Sequence, residues 1–170
     1  MNAVGDPFRT FQDLVAHVPE IVQPMIVMLA GAVPFVEGEG AGAIGVVGGI
    51  HPVVAGLAAA TGNFLSVLAV VLLSSRVRTA AMAGRAPQVE LPAEPESKGR
   101  RRFRRLLVRF GVPGASILGP LAIPTQFTSA VLVAAGTPRR WVLLWQAVAI
   151  VLWTAVFTAL AWGVLTAVAG

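Results

Sequence analysis

The sequence predicts an all-α integral membrane protein, an inverted repeat of two re-entrant, broken-helix hairpins, each followed by a full transmembrane helix. Three observations predict it. The 170-residue chain is 56% hydrophobic and only 12% charged, with a mean hydropathy of +0.77, whereas soluble domains carry about 25% charged residues. Two apolar stretches, 53–73 and 141–168, run without charge for the length a bilayer demands, while two others, 20–50 and 108–136, are interrupted by glycine and proline. The cations gather on the connections that an inverted arrangement would leave on one side of a membrane.

Composition also excludes several classes. Strand-period alternation is absent, which argues against a barrel. There is no cysteine, hence no disulfide framework and no thiol chemistry. The two histidines lie far apart with no metal-ligand spacing, so no cofactor is expected. The N-terminus lacks a basic segment leading directly into an apolar core, so no cleaved signal peptide is expected. The net charge of +5 belongs to arginines flanking apolar spans, where positive charge sets membrane orientation, so no nucleic-acid partner is expected.

In chain order, residues 1–19 place Phe8, Phe11, Leu14, Val15 and Val18 at helical spacing and read as an amphipathic helix lying in the membrane interface. The first membrane repeat is 20–73. Residues 20–33 would make only about 21 Å of helix, short of a hydrocarbon core about 30 Å thick, so this piece enters without crossing. Pro34 ends it, a Gly-Glu-Gly turn follows, Ala41 to Gly49 returns as a second short helix, and Ile50, His51 and Pro52 close the hairpin 20–50. Residues 53–73 are a full span of about 31 Å, with Asn63 its one strongly polar residue and Gly56, Ala60 and Gly62 offering close packing. Residues 74–105 read as a cytoplasmic loop, first rich in proline and glutamate and then in arginine. Its end presents Phe103, Leu106, Leu107 and Phe110 on one helical face. Arg101, Arg102, Arg104, Arg105 and Arg109 are there to meet lipid headgroups or to anchor topology. The second membrane repeat is 106–170. Pro113, Pro120 and Pro124 break its hairpin, 108–136, with the tip at Ile123 to Gln126. Pro138, Arg139 and Arg140 close it, and 141–168 is the last span, with Trp141 and Trp145 suited to an interface.

Both halves thus share one element order, and Gly49 falls opposite Gly136 as Glu37 falls opposite Pro124. Of 13 lysines and arginines, ten lie in 76–109 and two are Arg139 and Arg140. A cytoplasmic central loop with both termini outside satisfies the positive-inside rule and makes the halves antiparallel. Inverted repeats with discontinuous helices mark transporters; an ordinary bundle of crossing helices is the alternative.

Glu37 and Glu39 are the only acids inside the long apolar regions, and a carboxylate at membrane depth marks a functional site by default. Two residues apart, they diverge on a helix but point the same way on an extended turn, which the glycines favour. Such a pair holds one proton and exchanges it for a cation. Glu37 is assigned as the proton- or substrate-binding acid and Glu39 as its tuner; a solvated hairpin mouth that only sets topology is the competing reading. Asn63, Pro124, Thr125 and Gln126, with Thr128, supply polar contacts or cap broken helices. His51 reads as a turn residue. No metalloprotease, nucleophile-elbow or paired-aspartate motif is present, and no enzymatic activity is expected.

The stretches PFVEGEGAGAIGVVGGIHPVVAGLAAATGN and RFGVPGASILGPLAIPTQFTSAVLVAAGTPRRW resemble the DedA-like superfamily of membrane proteins and, within it, the small multidrug export proteins. Together they cover about two thirds of the apolar chain. The resemblance implies two opposed re-entrant hairpins, residence in a bacterial cytoplasmic membrane, and proton-coupled efflux or lipid-carrier translocation. Better-known members of the superfamily flank the second Ile-Pro with arginines, where this chain has Leu121 and Phe127. The leading expectation is therefore a secondary transporter exporting a small, cationic compound against protons. A flippase for an isoprenoid-phosphate lipid carrier and a non-transporting membrane scaffold are the alternatives. The size of the chain leaves a homodimer open, since four helical units barely enclose a pathway.

Overall fold

A computed structural model describes residues 18–83 and 111–169. Residues 1–17 of the expected lead-in 1–19, most of the central loop and Arg101, Arg102, Arg104, Arg105 and Arg109 lie outside the described residues. Among those described, the chain is all-α with no strand. The helices are α1 (Gln23–Gly31), α2 (Glu37–Val47), α3 (Pro52–Ala83), α4 (described over 111–118), α5 (Thr125–Ala134) and α6 (Arg139–Ala169), with a 3-10 turn at Gly119–Leu121 after α4.

The first hairpin is α1 packed on α2. Pro24 sits in the first turn of α1, where no backbone N–H is needed. The break falls at 32–36: Val36 and Glu37 both donate their N–H to the Val33 carbonyl, at 3.2 and 3.0 Å, and Pro34 supplies no donor. The second short helix therefore begins at Glu37, not at Ala41, and the expected Gly-Glu-Gly turn is its first turn. Glycine is a poor helix former, but here its missing side chain lets neighbouring helices close on α2, and that packing overrides propensity. Gly49, at φ +88, ends the helix. Its N–H donates to Val46 and that of Ile50 to Gly45, both at 3.0 Å, the paired bonds of a left-handed glycine C-cap.

The same device recurs after α5. Gly136, at φ +97, donates to Val133 at 3.0 Å and Thr137 donates to Leu132 at 3.1 Å. In both places a proline follows within three residues and a long helix starts, at Pro52 and at Arg139. The alignment of Gly49 with Gly136 is thus a correspondence of backbone geometry as well as of order.

Helix α3 runs ten residues beyond the expected end of the span, to Ala83. Nothing between Ser74 and Ala83 is glycine or proline, and alanine, arginine and methionine favour helix. Hydroxyls of Ser75 and Thr79 bond back to the Leu72 and Ser75 carbonyls at 2.8 and 2.9 Å. The stretches 52–80 and 139–168 are long and apolar enough to cross a membrane.

The chain divides into two units. The first holds residues up to Ser66 and from Ala147 onward; the second is Val67–Gln146. The first has a core of Val27, Ala30, Val36, Ala41, Ile44, Val46, Ile50, Ala55 and Ala59. Its helices meet at small residues: a Cβ on Gly31 would strike the Ala59 carbonyl, one on Gly62 the Met28 carbonyl, and one on Gly45 would lie 2.7 Å from the Ala55 Cβ. The second unit buries Val67, Val71, Ala115, Leu132, Val133 and Val142 beside an unusual share of polar side chains.

Candidate functional site

Glu37 begins α2 in the left-handed region, at φ +51, two residues after Phe35 at φ +71. Neither side chain adopts that backbone readily, and each such residue costs about 1–2 kcal/mol. Phe35 is exposed, whereas Glu37 is only 6% exposed. Glu39, two residues further, is half-buried, and its Oε2 is enclosed without a hydrogen-bond partner among the described residues. Both carboxylates stand in the first turn of an eleven-residue helix. There the unsatisfied backbone N–H groups and the helix dipole favour negative charge. The two acids are therefore not presented on an extended turn, as the glycines led one to expect, but at a helix N-terminus whose first residue is left-handed.

Between them lies Gly38, against which Thr154 of α6 is seated; a Cβ there would overlap the Thr154 hydroxyl. One turn on, Gly42 meets Thr158 in the same way. Glycines at i and i+4 thus face threonines at i and i+4, the close helix approach typical of small-residue motifs. Thr154 and Thr158 are 1% and 4% exposed, and neither hydroxyl has a hydrogen-bond partner among the described residues. The two threonines also line an apolar groove of about 430 Å³ between α3 and α6, with His51, Gly56, Leu57 and Trp162 among its other walls. Thr154 is therefore a shared wall, touching the glycine between the two acids on one side and the groove on the other.

His51 lines that groove and caps α3. Its Nδ1 accepts the Val53 N–H at 3.3 Å and its carbonyl accepts the Ala55 N–H at 3.0 Å. Asn63 is fully buried on α3 in the first unit, next to the Gly62 contact with α1.

Pro124, Thr125 and Gln126 belong to the second unit. The break there spans Gly119 to Pro124, so Thr125 and Gln126 form the first turn of α5 instead of a loop tip. Pro124, extended at φ −51 and ψ 144, precedes them. All three are buried. Thr125 Oγ1 donates to Gln126 Oε1 at 3.4 Å, and Ser129 Oγ donates to the Thr125 carbonyl at 2.7 Å. Thr128 is buried against Gly119, 3.2 Å from where a Cβ would be.

Four buried polar side chains without a hydrogen-bond partner among the described residues were not marked by the sequence. Thr154 and Thr158 are two, and their i, i+4 spacing against GxxxG was the available signal. Gln146 is the third: it is fully buried, with both amide atoms unpartnered among the described residues. It is the one amide in the stretch 141–168, as Asn63 is in 53–73. Ser116 on α4 is the fourth, fully buried and likewise unpartnered; nothing in its sequence setting marks it.

Comparison with family models, curated proteins and solved structures returned no match.

Proposed function

We propose that this chain is an integral membrane secondary transporter, similar in kind to small multidrug export proteins. It would exchange protons for a small, amphiphilic cation through the first hairpin. The observation that carries the reading is Glu37: a buried carboxylate held on left-handed backbone. Strained backbone of this kind persists where the surroundings over-determine it, and it collects at functional sites. An acid so placed binds either a proton or a cation, and that alternative is the exchange step of an antiporter. The apolar groove offers room for the body of such a cation, with Thr154 as the wall it shares with the acid-bearing turn.

Membrane insertion is supported by the surfaces of the two long helices. Only 28% and 22% of their most apolar windows are buried, whereas the core helix of a soluble protein would be mostly covered. Leu57, Leu65, Leu73, Val151, Leu160, Trp162 and Val164 all stand exposed, and apolar surface of that extent needs a lipid or protein cover. The inverted repeat is supported by the matched glycine caps at Gly49 and Gly136 and by the cations on α3 and at the start of α6. With the central loop 74–105 on the cytoplasmic side the two halves are antiparallel; the bacterial cytoplasmic membrane is what the resemblance to the DedA-like superfamily implies. The lipid-carrier reading gains nothing at the second break, where Leu121 and Phe127 stand exposed and no cation flanks Pro124.

The test is flux of a lipophilic cation dye from proteoliposomes under an imposed pH gradient, comparing wild type with Glu37→Gln. Movement that needs both the gradient and Glu37 is the expected result. Equal flux in Glu37→Gln refutes the assignment.

A further inference from the structure

The second unit carries a basic cleft that the transport reading does not use. Ser75, Arg78 and Thr79 of α3 face Val133, Gly136, Thr137, Pro138 and Arg139 across a cavity of about 370 Å³. Arg139 Nη1 donates to Ser75 Oγ at 3.4 Å, which ties the start of α6 to α3. The Arg78 guanidinium lies over Gly136, its Nη2 3.1 Å and its Cζ 3.6 Å from where a Cβ would project. Gly136 is thus needed twice, for its positive φ and as the seat of Arg78. Arg76 lies on the neighbouring shoulder, in a second cavity that shares Ser75, Thr79 and Arg139.

The charges here lack compensation. The described residues of this unit hold four arginines, Arg76, Arg78, Arg139 and Arg140, and no aspartate or glutamate. The segment 84–110 cannot supply the difference, since it carries eight lysines and arginines against three glutamates. Two guanidiniums, the Thr137 hydroxyl and the first N–H groups of a 31-residue helix converge on one cleft, which Ser75 and Thr79 wall with their hydroxyl protons given to α3 carbonyls. That donor set has the chemistry of a phosphate site: forked donors for bidentate oxygens, a hydroxyl beside them, and a helix N-terminus behind them.

We infer that the cleft between α3 and the start of α6 binds a phosphate group, held by Arg78 and Arg139 with Thr137. The phosphate is that of an anionic lipid headgroup or of a free phosphate ion. Arg140 stands beside Arg139 in sequence but does not line the cleft, so it separates a built site from general attraction of cations to an anionic surface.

The experiment is calorimetric titration of the purified full-length chain in uncharged detergent with dioctanoyl phosphatidic acid, dioctanoyl phosphatidylcholine and inorganic phosphate. Phosphatidic acid is expected to bind at least ten-fold more tightly than phosphatidylcholine. Arg78→Gln and Arg139→Gln should each weaken it about ten-fold, Arg140→Gln less than two-fold. Where a glutamine variant fails to fold by circular dichroism, Arg78→Lys and Arg139→Lys carry the test. They keep the charge, lose the fork and should retain part of the affinity. Competition by inorganic phosphate assigns the site to the free ion, and failure to compete assigns it to the headgroup; either supports a phosphate site. Equal losses in Arg139→Gln and Arg140→Gln overturn it, as does equal affinity for the two lipids or no binding of either phosphatidic acid or inorganic phosphate.

Discussion

Replacing Gly38 with alanine tests whether the acid-bearing helix is held by backbone-close contact with α6. The new Cβ would overlap the Thr154 hydroxyl and stand 3.2 Å from the Thr154 Cβ. Overpacking costs about 1–3 kcal/mol, and so deep an overlap falls at about 2–3 kcal/mol, while the gain in helix propensity from glycine to alanine is about 1 kcal/mol. Gly38→Ala alone should therefore destabilise by roughly 1–2 kcal/mol. Thr154→Ala removes the clashing hydroxyl. That hydroxyl has no hydrogen-bond partner among the described residues, so its loss breaks no bond there. The missing methyl should cost about 1 kcal/mol. In the double variant the remaining 3.2 Å approach is relieved by a shift of a few tenths of an ångström, and the propensity gain is retained. The cycle should then show a favourable coupling of about 1.5–3 kcal/mol. At roughly 2–4 °C per kcal/mol for a chain of this size, thermal melts followed by circular dichroism in detergent read it directly. Gly62→Ala supplies the contrast, because its Cβ would strike the Met28 backbone carbonyl and trimming the Met28 side chain should not rescue it. An unchanged melting temperature in Gly38→Ala, or no rescue by Thr154→Ala, refutes the packing argument.

Glu37→Asn should raise the melting temperature by about 2–4 °C, since asparagine tolerates positive φ, and should abolish gradient-driven flux; a lower melting temperature would remove the argument from backbone strain. Gln146→Leu should be neutral or stabilising by about 1–2 kcal/mol, because the amide it removes is buried without partners. A marked loss in denaturation would mean that the amide is satisfied. Gly49→Ala and Gly136→Ala should each cost about 1 kcal/mol for left-handed backbone. Only the second should also weaken phosphatidic acid binding, since only Gly136 seats Arg78.

Much of the fold was legible because its punctuation is chemical. Proline, left-handed glycine and runs of uncharged apolar residues predict where helices break, turn and continue, and Pro34, Gly49, Pro124 and Gly136 stand at or beside such points. Glu37 was legible as an acid where acids are expensive. Its conformation was not, because a start in the left-handed region is imposed by the 32–36 turn and by what presses on α2. Four glycines in an eleven-residue helix read locally as a turn, and only the contacts of Gly38, Gly42 and Gly45 with Thr154, Thr158, Ala55 and Val27 explain the helix. The extension of α3 to Ala83 was hidden by polarity: Ser74 to Arg78 look like loop, yet nothing in them stops a helix. The basic cleft was invisible for a different reason. Arg78 and Arg139 are 61 residues apart and meet only through the cap at Gly136.

The chain contains no tyrosine, and its four tryptophans, Trp141, Trp145, Trp153 and Trp162, all lie on α6. Its intrinsic fluorescence is therefore the emission of a single helix. Trp162 lines the groove, while Trp141, edge-on to Trp145 at 5.9 Å, is two residues from the arginine of the cleft. Variants that retain one indole each would turn α6 into a calibrated optical probe. A brominated ligand quenching Trp162 would report the groove, and one quenching Trp141 would report the cleft, with no label added to the protein.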